Sequence, residues 1–361
     1  MNNFSTIEHA EKSYLDSIYL ISHSKSSLKV YKSTIKIFRI FLKEKFGFDE
    51  FELVSEIERG ALDICKVFQD FAIYLDKNGV GASSIRVKIT GIKGYLRHIG
   101  LKINSDDLKQ TVKVPRLTKS REIPLTKEII LKILRNANPK LQTAILVAIS
   151  TGLRIAELVQ IKISDVDFAT TPTTIYIRSN TTKTKQSREV FLTAEATNAL
   201  KDYLERFHSW DANKPHLVSD RYIFGPVIKP KNTKDYSVES AKMTLQEALK
   251  NIAKRVPDLS MKNENGMLAV HFHAFRKYFR TVVGNAVGRD FAEALIGHRF
   301  YMDTYYQLSD EKKREMYLQA EPYLTISDFK EVENNLKELS SRYSQLESEF
   351  KELKQYLKTM Q

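Results

Sequence analysis

LQTAILVAISTGLRIAEL, residues 141–158, decides how this chain folds. Its first ten residues are apolar nearly throughout, which reads as a buried helix. Gly152 then permits a tight turn, and Arg154 stands at the start of a second helix. From so well-packed a base an arginine can project into a cleft. Its planar fork donates two parallel hydrogen bonds, which suits the nonbridging oxygens of a phosphodiester. Arg154 fits equally well as the structural partner of Glu157.

Three segments downstream add to it. TTIYIRS (173–179) and REVFL (188–192) alternate and are rich in β-formers, which predicts a hairpin joined by NTTKTKQS. Lys183 and Lys185 fall at its tip, where an ammonium can protonate a leaving 5′-oxygen; two solvated loop lysines are the plainer reading. In HFHAFRKYF (271–279), His273 and Arg276 lie three apart and so share a helix face. One phosphate could meet both, with His273 a proton donor or acceptor near neutral pH. His271 belongs to a strand or loop and faces elsewhere. In LIGHRFYMDTYY (295–306), His298 can hydrogen-bond a phosphate, and Tyr305 and Tyr306 follow seven and eight residues on. A tyrosine hydroxyl, with a pKa of about 10, is a poor nucleophile at neutral pH. Flanking arginines and a nearby base would favour attack by the phenolate. Both tyrosines also fit as packing residues.

Working outward, Thr126 is the expected N-cap of KEIILKILRNA, and further helices are expected near 193–207, 238–255, 273–285 and 289–297. The first hundred residues read as a four-helix unit: HAEKSYLDSIYLIS, then SSLKVYKSTIKIFRIFLKEKF capped by Ser26 or Ser27, a helix over 60–78, and one following Ser83 or Ser84. Residues 103–124 are polar and basic with two prolines, which predicts a linker. Phe329, Leu336, Tyr343, Phe350 and Leu357 recur every seven residues, and Val332, Leu339, Leu346, Leu353 and Met360 do so three places later. That seam predicts a coiled-coil strand; one amphipathic helix folded back on its own domain fits it too. The expected domains are therefore 1–118, with the linker, 125–326, and a helical tail 327–361.

The net charge of +13 points to a polyanionic partner, nucleic acid before an anionic membrane. The tail carries −1, residues 1–118 about +5 and residues 119–326 about +9, so both main domains can contribute phosphate contacts. Cys65 is the only cysteine, so no intrachain disulfide forms and a reducing, cytoplasmic setting is expected. The N-terminus lacks a signal pattern and no run of 18 apolar residues occurs. No zinc-type ligand spacing and no phosphate-binding Gly-x-x-x-x-Gly-Lys loop is present. Neither metal nor cofactor is expected.

In combination the four segments resemble the tyrosine recombinase/integrase family. TGLRIAEL is similar to its first arginine box, KTKQSREVFL to its lysine hairpin, HFHAFRKYF to its His-x-x-Arg box and LIGHRFYMDTYY to its Gly-His…Tyr end. The resemblance covers about residues 125–326, and the helical first hundred residues resemble the family's core-binding domain. It implies a mainly α fold with a small β-sheet, closing as a C-shaped clamp on duplex DNA. It also implies site-specific cutting and rejoining through a 3′-phosphotyrosine, by a tetramer associated with the nucleoid. Arg154, His273, Arg276 and His298 would hold the scissile phosphate, with Glu157 supporting Arg154. Lys183, five residues before Arg188, would be the general acid, with Lys185 the alternate. Tyr306 would be the nucleophile, with Tyr305 the alternate, because the family places its tyrosine about nine residues after the Gly-His histidine. The segment from Tyr305 to Ile326 and the heptad tail look like those of archaeal virus or plasmid integrases. A type IB topoisomerase, a tyrosine transposase or resolvase, and a DNA-binding regulator with a dead site are the alternatives.

Overall fold

Side-chain oxygens placed just before apolar-periodic stretches start most helices of the first unit. Thr6 accepts from the His9 amide ahead of α1 (Ile7–Ser22), and Ser24 from the Ser27 amide ahead of α2 (Lys25–Phe46). Asp49 and Glu52 close a reciprocal capping box on α3 (Glu50–Glu58), and Asp63 caps α4 (Ile64–Lys77). α5 (Ala82–His98) begins after Gly81 without a side-chain cap, and Asn104 caps α6 (Ser105–Thr111). The computed structural model describes residues 6–117, 122–211, 220–225, 237–264, 266–298 and 308–327, together with 342, 343, 345, 346 and 350. The chain divides into two units between Lys119 and Ser120.

Several expectations for this unit are corrected. Its described residues hold six helices, not four. α3 is set off by its capping box, and α6 forms inside the stretch expected as linker because Leu108 is buried beneath it. The cap of α2 is Ser24, not Ser26 or Ser27. Ser83 and Ser84 lie inside the first turn of α5, and α4 starts at Ile64, after the capping Asp63. The core of the unit is aromatic. Phe38, Phe41, Phe68, Phe71 and Tyr95 are fully buried, with the Phe38 and Phe71 rings edge to face at 5.0 Å. Burying each such ring contributes on the order of 2–3 kcal/mol.

The second unit comprises α7 (Lys127–Arg135), α8 (Pro139–Thr151), α9 (Ile155–Leu158), β1 (Val166–Asp167), β2 (Thr174–Ile177) and β3 (Arg188–Phe191). After these come α10 (Ala194–His208), α11 (Val238–Arg255), α12 (Phe272–Ala286), α13 (Arg289–Leu295) and α14 (Asp310–Leu324). Thr126 caps α7 as expected, accepting from the Ile129 amide. The three strands form one antiparallel sheet in the order β1-β2-β3, with Ile175 opposite Val190 and Ile177 opposite Arg188. A mainly α fold with a small sheet is thus what the described residues adopt; the two-residue β1 and the helix α14 were not expected.

α8 is the hub. Its residues from Thr143 to Thr151 are all buried, and α7, α10, α12 and α14 pack around it. The Tyr317 hydroxyl on α14 donates to the Ser150 carbonyl at 2.8 Å. The helix ends because Gly152 turns left-handed at φ +63. That turn delivers Arg154 to the start of α9. No helix among the described residues is long and apolar enough to cross a membrane. Of the heptad seam, Tyr343, Leu346 and Phe350 are helical and exposed; the rest of the expected coiled coil lies outside the described residues.

Candidate active site

Arg154 follows directly from the turn at Gly152 and Leu153. Its side chain is 27% exposed, and Nη1 donates to Glu157 Oε1 at 3.0 Å. The Arg154 amide donates to Glu157 Oε2 at 3.1 Å, so one carboxylate grips both ends of the residue. Burial alone would raise the Glu157 pKa. The adjacent Arg188 charge and hydrogen bond, with help from Arg154, instead pull it below the carboxylate range.

Arg188 is a functional residue that the motifs did not single out. It is 8% exposed on β3, where its Nη2 donates to Glu157 Oε2 at 2.8 Å and its Nε to the Leu295 carbonyl at 2.8 Å. A Cβ at Gly297 would stand 2.8 Å from Arg188 Nη1, so the Gly-His glycine is needed for this close approach. Arg188 thereby ties the hairpin to the Arg154 turn and to the exit of α13.

Arg276, 3% exposed on α12, staples the same two segments. Nη1 donates to the Gly152 carbonyl at 2.8 Å and Nη2 to the Ile296 carbonyl at 2.6 Å. Burial, and then the neighbouring Arg154 charge, pull its pKa down to about 9. It stays cationic at neutral pH, and among the described residues its two terminal nitrogens donate to backbone carbonyls rather than to a carboxylate.

His273 shares this helix. Burial, followed by the charges of Lys277, Arg276 and His271, lowers its pKa, so the ring is neutral at pH 7. His271 is the N-cap residue of α12, its Nδ1 2.9 Å from the Ala269 carbonyl. His298 follows α13, with Nδ1 against the buried carboxylate of Glu293.

Arg154, His271 and His273 line one cleft of about 940 Å³, together with Lys242, Lys250 and Lys254 of α11. Those lysines are spaced at eight and four residues, so they form a single helical stripe. The spacing was visible in the sequence but was not used. The result is a cation-rich cleft, suited to a polyanion. The structure brings Arg154, Glu157 and Arg276 together around Gly152, with His273 lining the same cleft as Arg154, while His298 is held by Glu293. It does not join Lys183 or Lys185 to these residues: both are exposed on the hairpin loop, which Thr182 pins by accepting from the Gln186 amide at 3.1 Å. Tyr305 and Tyr306 lie outside the described residues. Among the described residues, no grouping of three or more His, Cys, Asp or Glu is placed to hold a metal ion.

Comparison with known proteins places this geometry. Residues 105–311 match the model of the phage integrase family. The tyrosine recombinase XerA of Pyrococcus horikoshii is 30% identical over 138 residues, which is 38% of this chain and 43% of the relative. The XerA of Thermococcus kodakarensis is 30% identical over 100 residues, covering 27% of the chain and 34% of the relative. The chain thus spans less than half the length of these curated relatives. Among solved structures, a lambda integrase (75–356) dimer bound to a COC′ core site superposes with a TM-score of 0.51. The two are 18% identical, over 84% of this chain and 99% of that one, a likeness of fold.

Proposed function

The chain belongs to the phage integrase family, and from that premise we propose that it is a site-specific DNA recombinase that cuts and rejoins duplex DNA through a 3′-phosphotyrosine. The observation that carries the proposal is the coupled arginine pair. Arg154 lines a cleft with Lys242, Lys250 and Lys254, and Arg276, buried beside the Arg154 turn, donates to two backbone carbonyls with no countercharge hydrogen-bonded to it among the described residues. The scissile phosphate is the group that supplies it.

In the proposed reaction Tyr306 Oη attacks the phosphorus and the bond to the 5′-oxygen breaks. His273, neutral in the free protein, takes the phenol proton. Lys183 gives a proton to the departing 5′-oxygen. Arg154, Arg276 and His298 hold the nonbridging oxygens, where added charge on the pentavalent transition state rewards preorganised donors. The phosphotyrosine conserves the bond energy, so a 5′-hydroxyl reverses the attack, and neither ATP nor metal enters these steps. Tyr305 and Lys185 are the alternates for nucleophile and acid.

We further propose that the two units close on duplex DNA as a C-shaped clamp, and that exchange needs several copies, in the cytoplasm at the nucleoid. One lambda integrase structure is a tetramer bound to a Holliday junction. The exposed Tyr343, Leu346 and Phe350 lie on the heptad seam that would join copies.

A nicked suicide duplex tests the reading. A covalent DNA adduct with the native chain and none with Tyr306→Phe is expected; binding without an adduct would mark a regulator instead. Exchange between two sites, rather than relaxation of one supercoiled plasmid, separates a recombinase from a topoisomerase.

A further inference from the structure

Glu293 is 1% exposed on α13, yet it is an acid among apolar neighbours: Phe291, Ala292 and Leu295 of the same helix are buried with it. A lone buried carboxylate is costly, so its partners define its role. Oε1 takes the guanidinium of Arg280, and Arg289 Nε stands 3.8 Å from it. Oε2 faces His298 Nδ1 within ion-pair reach and takes no hydrogen bond among the described residues. Arg280 and Arg289 are substantially exposed, at 42% and 72%, so water can solvate them without Glu293. His298 differs. Its Nδ1 is turned inward onto the carboxylate, and the ring itself remains 45% exposed.

We propose that Glu293 is the positioning residue of His298. A carboxylate facing Nδ1 selects the ring's orientation and favours the tautomer that carries its proton there. Glu293 therefore fixes the direction of the ring and turns Nε2 away from the buried carboxylate. It repeats the arrangement at Arg154, where Glu157 grips a phosphate-facing cation from behind. The pairing is local, since Glu293 and His298 are five positions apart and the Glu293 carbonyl also accepts from the His298 amide at 3.2 Å. The catalytic consequence rests on the recombinase reading above; the orientation of His298 does not.

Two measurements test this. In the free full-length protein, nitrogen-15 NMR of the histidine ring is expected to show His298 protonated at Nδ1. Glu293→Leu should release that proton to exchange or shift it to Nε2. A native His298 with a bare Nδ1 overturns the proposal whether or not the protein cleaves DNA. On a suicide duplex at saturating protein, Glu293→Leu should slow adduct formation by about 10–100-fold, the usual cost of removing an orienting partner. DNA affinity and melting temperature should stay close to native. Glu293→Gln, which keeps an acceptor, should retain part of the rate. In a His298→Ala background neither substitution should slow the reaction further. Equal losses in both backgrounds, or no loss in the native one, contradict the role. A native chain that forms no adduct while His298 carries its proton on Nδ1 counts against the recombinase reading and not against the positioning.

Discussion

Glu157 is the residue on which the phosphate-facing side depends, and Arg188 is what keeps it ionised in so dry a place. The two form a buried pair, with side chains 1% and 4% exposed. Removing one member of such a pair costs about 3 kcal/mol or more, because the other is left uncompensated. Arg188→Met is therefore expected to lose about 3 kcal/mol in denaturant unfolding at pH 7. The pH dependence follows from the lowered Glu157 pKa. The unfolded chain binds this proton more readily than the folded one, so the pair's contribution is complete above the ordinary value of 4.5 and fades as pH falls through the folded value. The gap between native and variant should narrow over that acidic window; a gap that widens on acidification would remove Glu157 from its place. Arg154, Glu157, His273, Arg276 and His298 were all legible as motif residues. Arg188 and Glu293 were not, because their importance lies in partners that only tertiary folding supplies.

At the scale of elements, the site is a meeting of three chain turns: the end of α8, the exit of α13 and the start of β3. Gly152 sits where they are closest. A Cβ there would run into the Phe279 ring and lie 2.7 Å from Ile296 Cγ2, and φ is +63. Gly152→Ala combines a left-handed alanine with overpacking, and a loss on the order of 2–4 kcal/mol is expected, with Arg276 displaced from its two carbonyls. Thermal unfolding measures it, and a near-native melting temperature would contradict the packing described. The helices with strong apolar periodicity, α2 and α4 among them, were readable from sequence because burial selects that period, and α8 because it is apolar nearly throughout. α3 carried a readable capping box at Asp49 and Glu52, but at nine residues it was too short to stand out. β1 pairs only Val166 and Asp167 with β2, and two residues show no alternation.

Across the whole molecule, positive charge outside the tail meets a stripe of lysines beside the arginine pair. Each phosphate contact released contributes roughly −0.9 to the slope of log affinity against log salt. Lys250→Glu with Lys254→Glu should weaken binding to any duplex and flatten that slope by about 2. A change confined to one DNA sequence would instead mark them as base readers. If the tail joins copies as proposed, deleting residues 327–361 lowers the size of the DNA-bound oligomer in analytical ultracentrifugation, and an unchanged size would leave the heptad seam without that role. The central claim is the covalent tyrosine. Its most direct test is mass spectrometry of the peptide trapped on a suicide duplex. The account predicts a 3′-phosphate on Tyr306, absent from Tyr306→Phe. A protein that binds the duplex without any adduct, or an adduct on a residue outside the Tyr305–Tyr306 pair, would contradict it.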